Sequence, residues 1–192
     1  MLTFRFTIRL EDFRKKVTPD NLNSSRDLRV EDVIGFYNLA TGVFLTELSS
    51  LIKSSNGSTT WRPLITYKNV LRAIENIGTE MSLGLRFFGR GTLSNKNFVF
   101  LIEQHKLARE YLTQAETFSS TLKVDLDVIR MTPAFLAYND TYNDIRRSKN
   151  ITLDTRDELL TKLIDYFDST VSVMNMLRDL IVDIRIDIQV FC

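Results

Sequence analysis

Three neighbouring side chains in residues 75–91, ENIGTEMSLGLRFFGRG, combine into a possible ligand site: Glu80, Met81 and Arg86. A carboxylate accepts hydrogen bonds, a guanidinium donates them in a fixed fork, and a thioether offers soft apolar contact. Met81 falls four residues after Ile77 and four before Leu85, on an apolar stripe that should face a bundle interior. Gly78, Gly84 and Gly89 strip side-chain bulk from the same turns, at about 1 kcal/mol each relative to alanine. They either admit another helix at close range or leave room for a ligand. Arg86 and Arg90 stand one turn apart at the helix end, where cations suit the macrodipole.

Other chemistry is sparse. His105 is the single histidine and lies on an apolar stripe between Leu101 and Ala108, so it reads as a hydrogen-bonded core residue rather than a ligand. Cys192 is the single cysteine and the last residue, which leaves no disulfide framework, thiol catalyst or cysteine metal site. Asp179, Asp183 and Asp187 line one helix face but alternate with Arg178 and Arg185, the pattern of a solvated face rather than a metal site. Phosphate loops, dinucleotide fingerprints and nucleophile elbows are absent. The expectation is a protein without catalysis and without a cofactor.

Composition narrows the partners. With 44% apolar and 26% charged residues the 192-residue chain has the make-up of a globular domain. Its net charge of +1 gives no electrostatic reason for nucleic acid or an anionic membrane as partner. No run approaches the roughly 18 apolar residues of a membrane span, and the charged start MLTFRFTIRLEDF has no secretion-signal pattern. Four glycosylation sequons, at Asn23, Asn56, Asn139 and Asn150, fall in segments that read as loops. If used, they place this segment outside the cell.

The elements that must position these residues are helices. Val33, Tyr37, Ala40, Phe44, Leu48 and Leu51 step by threes and fours after a possible cap at Asp27. A second stripe runs Leu64, Tyr67, Leu71, Ile74, Ile77, Met81, Leu85 and Phe88, with Pro63 in the first turn. Ser94 can cap a third helix carrying Phe98, Leu101, His105, Ala108, Leu112, Ala115 and Leu122, extending to about Arg130 before Pro133 ends it. AYNDTYNDIRRSKN reads as a polar loop. A final helix from about Asp154 carries Leu160, Ile164, Phe167, Val171, Met174, Ile181 and Ile188. Its end, VDIRIDIQV, also alternates with a strand period, but the helical register continues from Leu160 and takes precedence. The alternating LTFRFTIRL at the start could be a short strand. The fold class expected is all-α: an antiparallel bundle of long amphipathic helices in a single domain, residues 1–192.

The run YKNVLRAIENIGTEMSLGLRFFGRGTLSNKNFVFLIEQHKLAREYLTQAETFSS resembles the second half of the nitrate- and nitrite-sensing domain family. That family has a Gly-x-Glu-Arg-x-x-Gly-type helix, a break after a small residue, and a helix with a polar residue followed by YL. VEDVIGFYNLATGVFLTELSSLI is similar to its FY helix, and ITLDTRDELLTKLIDYFDSTVSVMNMLRDLIVDI to its closing helix. The resemblance covers about residues 29–188. It is closest in style to the extracellular sensor regions of invertebrate receptor-type guanylate cyclases. It implies two four-helix bundles, of which this chain is a partial version lacking an early Glu-Arg-Gly helix. It also implies a ligand-sensing module of a receptor, on the outer side of the plasma membrane and joined to it by flanking segments. Buried arginines hold the anion in the family. Gly78, Glu80 and Gly84 match its second motif, while Met81 takes the arginine position and supplies no charge-assisted hydrogen bond. Arg86 lies about 140° further round the helix and would need a different pocket.

The leading expectation is a sensor for a small anion or small molecule. The alternative is a helical interaction or dimerisation module, with a homodimer as its simplest form, and a third is a truncated product with an exposed apolar groove.

Overall fold

The computed structural model describes residues 30–54, 61–148 and 156–190, and every regular element among them is an α-helix. They are α1 (Val30–Ser54), α2 (Trp61–Arg90), α3 (Asn95–Phe118), α4 (Ser120–Arg130), α5 (Pro133–Arg147) and α6 (Arg156–Val190). The expected all-α bundle is what forms. Residues 1–50 and 51–192 separate into two compact units. In the first, α1 buries Leu45 and exposes Phe44, a face one residue away from the anticipated stripe. The strand-like start, Asp27, and the sequons at Asn23, Asn56 and Asn150 lie outside the described residues.

The second unit is built on α2. Gly91 ends that helix in the left-handed region at φ 73°, its N–H bonded to the Phe87 carbonyl at 2.8 Å, a conformation that favours glycine. The chain then turns back into α3, where Ser94 accepts from the Asn97 amide at 3.3 Å as the cap anticipated. Trp61 at the start of α2 meets Phe118 at the end of α3 edge-on, with centroids 5.8 Å apart, so the two helices are antiparallel. α6 also runs antiparallel to α2, since Gly78 faces Met174 and Gly84 faces Tyr166.

Three expectations are corrected. The helix expected to reach from Ser94 to Arg130 is two: Ser119 adopts an extended conformation and caps α4 by accepting from the Leu122 amide at 3.2 Å. Arg130 ties the two pieces together through ion pairs to Glu116 of α3 and Asp127 of α4. The polar loop AYNDTYNDIRRSKN is mostly helix, because Thr132 caps α5, Pro133 fits its first turn, and Tyr138, Tyr142 and Ile145 bury one face. Asn139 therefore sits half-buried on a helix, not in a loop. Finally, the apolar stripes of α2 and α6 do not mark their most buried faces. On α2 the buried face is Thr66, Val70, Ala73, Ile77, Glu80, Leu83, Gly84 and Phe87. On α6 Tyr166, Val173, Met174 and Leu177 are buried, while Leu160, Ile164 and Phe167 are exposed.

The α2 shift has a local cause. Helices on both sides cover it, and its buried polar side chains return their donors to their own helix. Thr66 bonds the Arg62 carbonyl at 3.0 Å, Asn76 the Arg72 carbonyl at 2.6 Å and Thr79 the Glu75 carbonyl at 3.1 Å. Such internal satisfaction removes most of the cost of burying a polar group.

Candidate functional site

Glu80 cannot bond back into its own helix and is fully buried, so its partners come from elsewhere. His105 of α3 places Nδ1 at 3.3 and 3.2 Å from the two carboxylate oxygens. Tyr138 of α5 donates its hydroxyl to Oε2 at 2.6 Å. That hydroxyl is also 3.2 Å from His105 Nδ1. Its own proton is committed to Glu80, so there it can only accept from Nδ1–H. Each buried polar atom in this triangle therefore has a partner, which a buried carboxylate requires.

Aromatic rings enclose the triangle. Tyr142, one turn after Tyr138, stacks on the His105 ring with centroids 3.5 Å apart and planes within 5°. Tyr166 closes the α6 side, seated against Gly84 one turn after Glu80. A β-carbon at Gly84 would lie 2.4 Å from Tyr166 Cε1 and 2.7 Å from both Cζ and Oη. Real contacts do not reach such distances, so glycine is what lets the ring in. The Tyr166 hydroxyl is buried without a hydrogen-bond partner. Thr170, one turn on, spends its proton on the Tyr166 main-chain carbonyl at 2.7 Å.

The electrostatics follow from burial around one acid. Burial first, then the Glu80 charge, pushes Tyr138 well above the ordinary phenol value. The same causes in the same order raise Tyr166 well above it, with Thr170 acting weakly in the other direction. Tyr142 is raised by burial and Glu80, against a downward pull from Arg146 and Arg109. These phenols stay neutral near pH 7 and act as hydrogen-bond donors.

The three residues singled out on α2 do not converge. Glu80 points into the cluster, Met81 is half-buried and packs at the edge of the core, and Arg86 is half-buried on a third face. His105 is the hydrogen-bonded core histidine anticipated, although its acid is Glu80 rather than a neighbour in sequence. Tyr138, Tyr142 and Tyr166 were not anticipated as site residues. The i, i+4 spacing of the first two is a signal that could have found them. Asp179, Asp183 and Asp187 are exposed, as a solvated face should be.

The family model described as nitrate and nitrite sensing matches residues 3–189, and the chain belongs to that family. The match begins well before the 29–188 span of the resemblance. The family is one of sensor domains rather than catalysts. No curated protein and no solved structure matches the chain. Among the described residues no helix is long and apolar enough to cross a membrane.

Proposed function

We propose that this chain is the non-catalytic ligand-sensing module of a signalling receptor, responding to a small anion of the nitrate or nitrite class. The observation that carries the reading, beside the family, is the Glu80 cluster. It draws one side chain from each of α2, α3 and α5 and leaves Tyr166 of α6 beside it with an unpaired hydroxyl. A buried charge with specific partners tolerates few alternative packings. An unpaired donor gives α6 a reason to move when the field at Glu80 changes.

Glu80 is the buried reader of ligand charge, while Met81 and Arg86 leave α2 on other faces. An anion about 5 Å from the carboxylate would be opposed by roughly 3 kcal/mol at an effective dielectric near 20. That energy is ample to bias α6. The sequons at Asn23, Asn56 and Asn150 support an extracellular position in a glycoprotein receptor, whereas the half-buried Asn139 does not. The style of the resemblance supports a guanylate cyclase or similar output on adjoining sequence. A thermal-shift panel of nitrate, nitrite and small organic anions tests the sensor reading: a saturable rise in Tm supports it, and a flat response overturns it.

A second reading has its own observation. Val124 and Val128 of α4 and Met131 at its C-terminal cap are exposed in steps of four and three, an apolar stripe suited to a second copy of the chain. Sedimentation showing a strict monomer at high concentration removes it.

A further inference from the structure

α6 is apolar on two sides. Its inner side, with Tyr166, Val173, Leu177 and Ile184, is buried against α2, α4 and α5. On the other side, roughly 150° round the helix, Leu160, Ile164, Phe167, Val182 and Ile186 are exposed, from 41% at Phe167 to 55% at Leu160. Among them Val171 is half-buried and Asn175 exposed. The positions recur every eleven residues, Leu160 to Val171 to Val182 and Ile164 to Asn175 to Ile186. Eleven residues are close to three whole turns, so the stripe stays on one side of the helix. From Leu160 to Ile186 it runs roughly 39 Å. A helix that shows its outer side only to water is polar there.

The charges beside the stripe differ from edge to edge. Asp157, Asp168 and Asp179, again eleven residues apart, line one edge, and Arg178 and Arg185 the other; all five are exposed. We propose that the outer face of α6 pairs in parallel with α6 of a second copy of the chain. A two-fold axis along the seam sets the acidic edge of each copy against the basic edge of the other, whereas antiparallel pairing would set acid against acid. Asn175 then meets its counterpart near the centre of the seam, where one polar residue fixes register at a cost in stability. Arg178 already donates to Asn175 Oδ1 at 2.9 Å, so that polar layer is formed before pairing. The pairing is independent of the ligand and uses a face other than the α4 stripe. Phe167 on the seam follows Tyr166, the ring seated against Gly84 beside the Glu80 cluster. A shift of α6 in one copy would therefore press on the other.

Sedimentation velocity of the full chain over a range of concentrations tests the pairing, with Ile164→Glu, Val182→Glu and Val128→Glu compared with the wild type. All three side chains are exposed, and circular dichroism checks that each variant folds. The wild type should dimerise reversibly, with the dissociation constant raised about tenfold or more by each α6 variant and unchanged by Val128→Glu. Orientation is read by combining Cys192→Ser with either Ile164→Cys or Asp183→Cys. Parallel pairing puts position 164 beside its counterpart, so the first should form an interchain disulfide on mild oxidation, and the second, on another face, should not. A strictly monomeric wild type overturns the proposal. So does a dimer that survives both α6 substitutions, one abolished by Val128→Glu alone, or one that fails to cross-link at position 164. Ligand binding is read separately by thermal shift, so these outcomes leave the sensor reading to its own test.

Discussion

The same deletion of one oxygen should act with opposite sign at Tyr138 and Tyr166. Tyr138 donates to Glu80 at 2.6 Å inside a fully buried cluster, so Tyr138→Phe removes a charge-assisted bond and leaves Oε2 short of a donor. Bonds to charged groups contribute about 1.5–3 kcal/mol, and His105 Nδ1 is then the one donor left to the buried carboxylate among the described residues. We expect a destabilisation of about 2–4 kcal/mol. Tyr166 has the same ring burial but a hydroxyl without a partner. Tyr166→Phe should therefore be neutral or stabilising, by up to about 2 kcal/mol from relieved desolvation. Urea unfolding followed by circular dichroism measures both. A fall in midpoint for Tyr138→Phe and an unchanged or raised one for Tyr166→Phe, at constant m-value, is the expected pair. Equal destabilisation by both would show that Tyr166 has a partner, and the account of α6 as poised beside Glu80 would fail.

The glycines of α2 should separate by environment. Gly84→Ala meets the Tyr166 ring and should cost about 1–3 kcal/mol, while Gly89→Ala, with nothing within 4 Å, should be neutral or stabilising by up to about 1 kcal/mol in the same unfolding assay. Ser119→Ala should cost about 1 kcal/mol, measurable as a lower midpoint, because it removes the α4 cap. In alkali, the folded-state values of Tyr138 and Tyr166 are raised, so their contribution is full below about pH 10 and is lost as pH rises from there toward the folded values. Absorbance at the phenolate band should show Tyr138 and Tyr166 titrating only as the chain unfolds. Their titration in the native state near pH 10 would contradict their burial.

The parts of the fold that were legible are those where one signal acts alone. On α3 the stripe from Leu101 to Ala115 and the Ser94 cap both hold, because that helix buries one ordinary amphipathic face. The end of α6 stays helical to Val190 although VDIRIDIQV alternates like a strand, because the helical register runs on from Tyr166 through Met174 and Leu177 to Ile184. α5 was hidden because its buried Tyr138, Tyr142 and Ile145 are embedded in Asn, Asp and Thr, which weigh toward loop. The α2 face was misjudged because polarity at Thr66, Asn76 and Thr79 is satisfied within the helix, which an apolar count cannot register. Glu80 stood out only through a motif. Its pairing with His105 and Tyr138 joins positions 25 and 58 residues away, a relation that no local spacing carries.

The sensor account is tested most directly by following backbone amide resonances of the whole chain during a nitrate titration at constant ionic strength. The account predicts saturable shifts that include the α6 amides from Tyr166 to Leu177. Saturable shifts confined to other helices would contradict the role of α6, and the absence of any saturable shift would contradict the sensor itself.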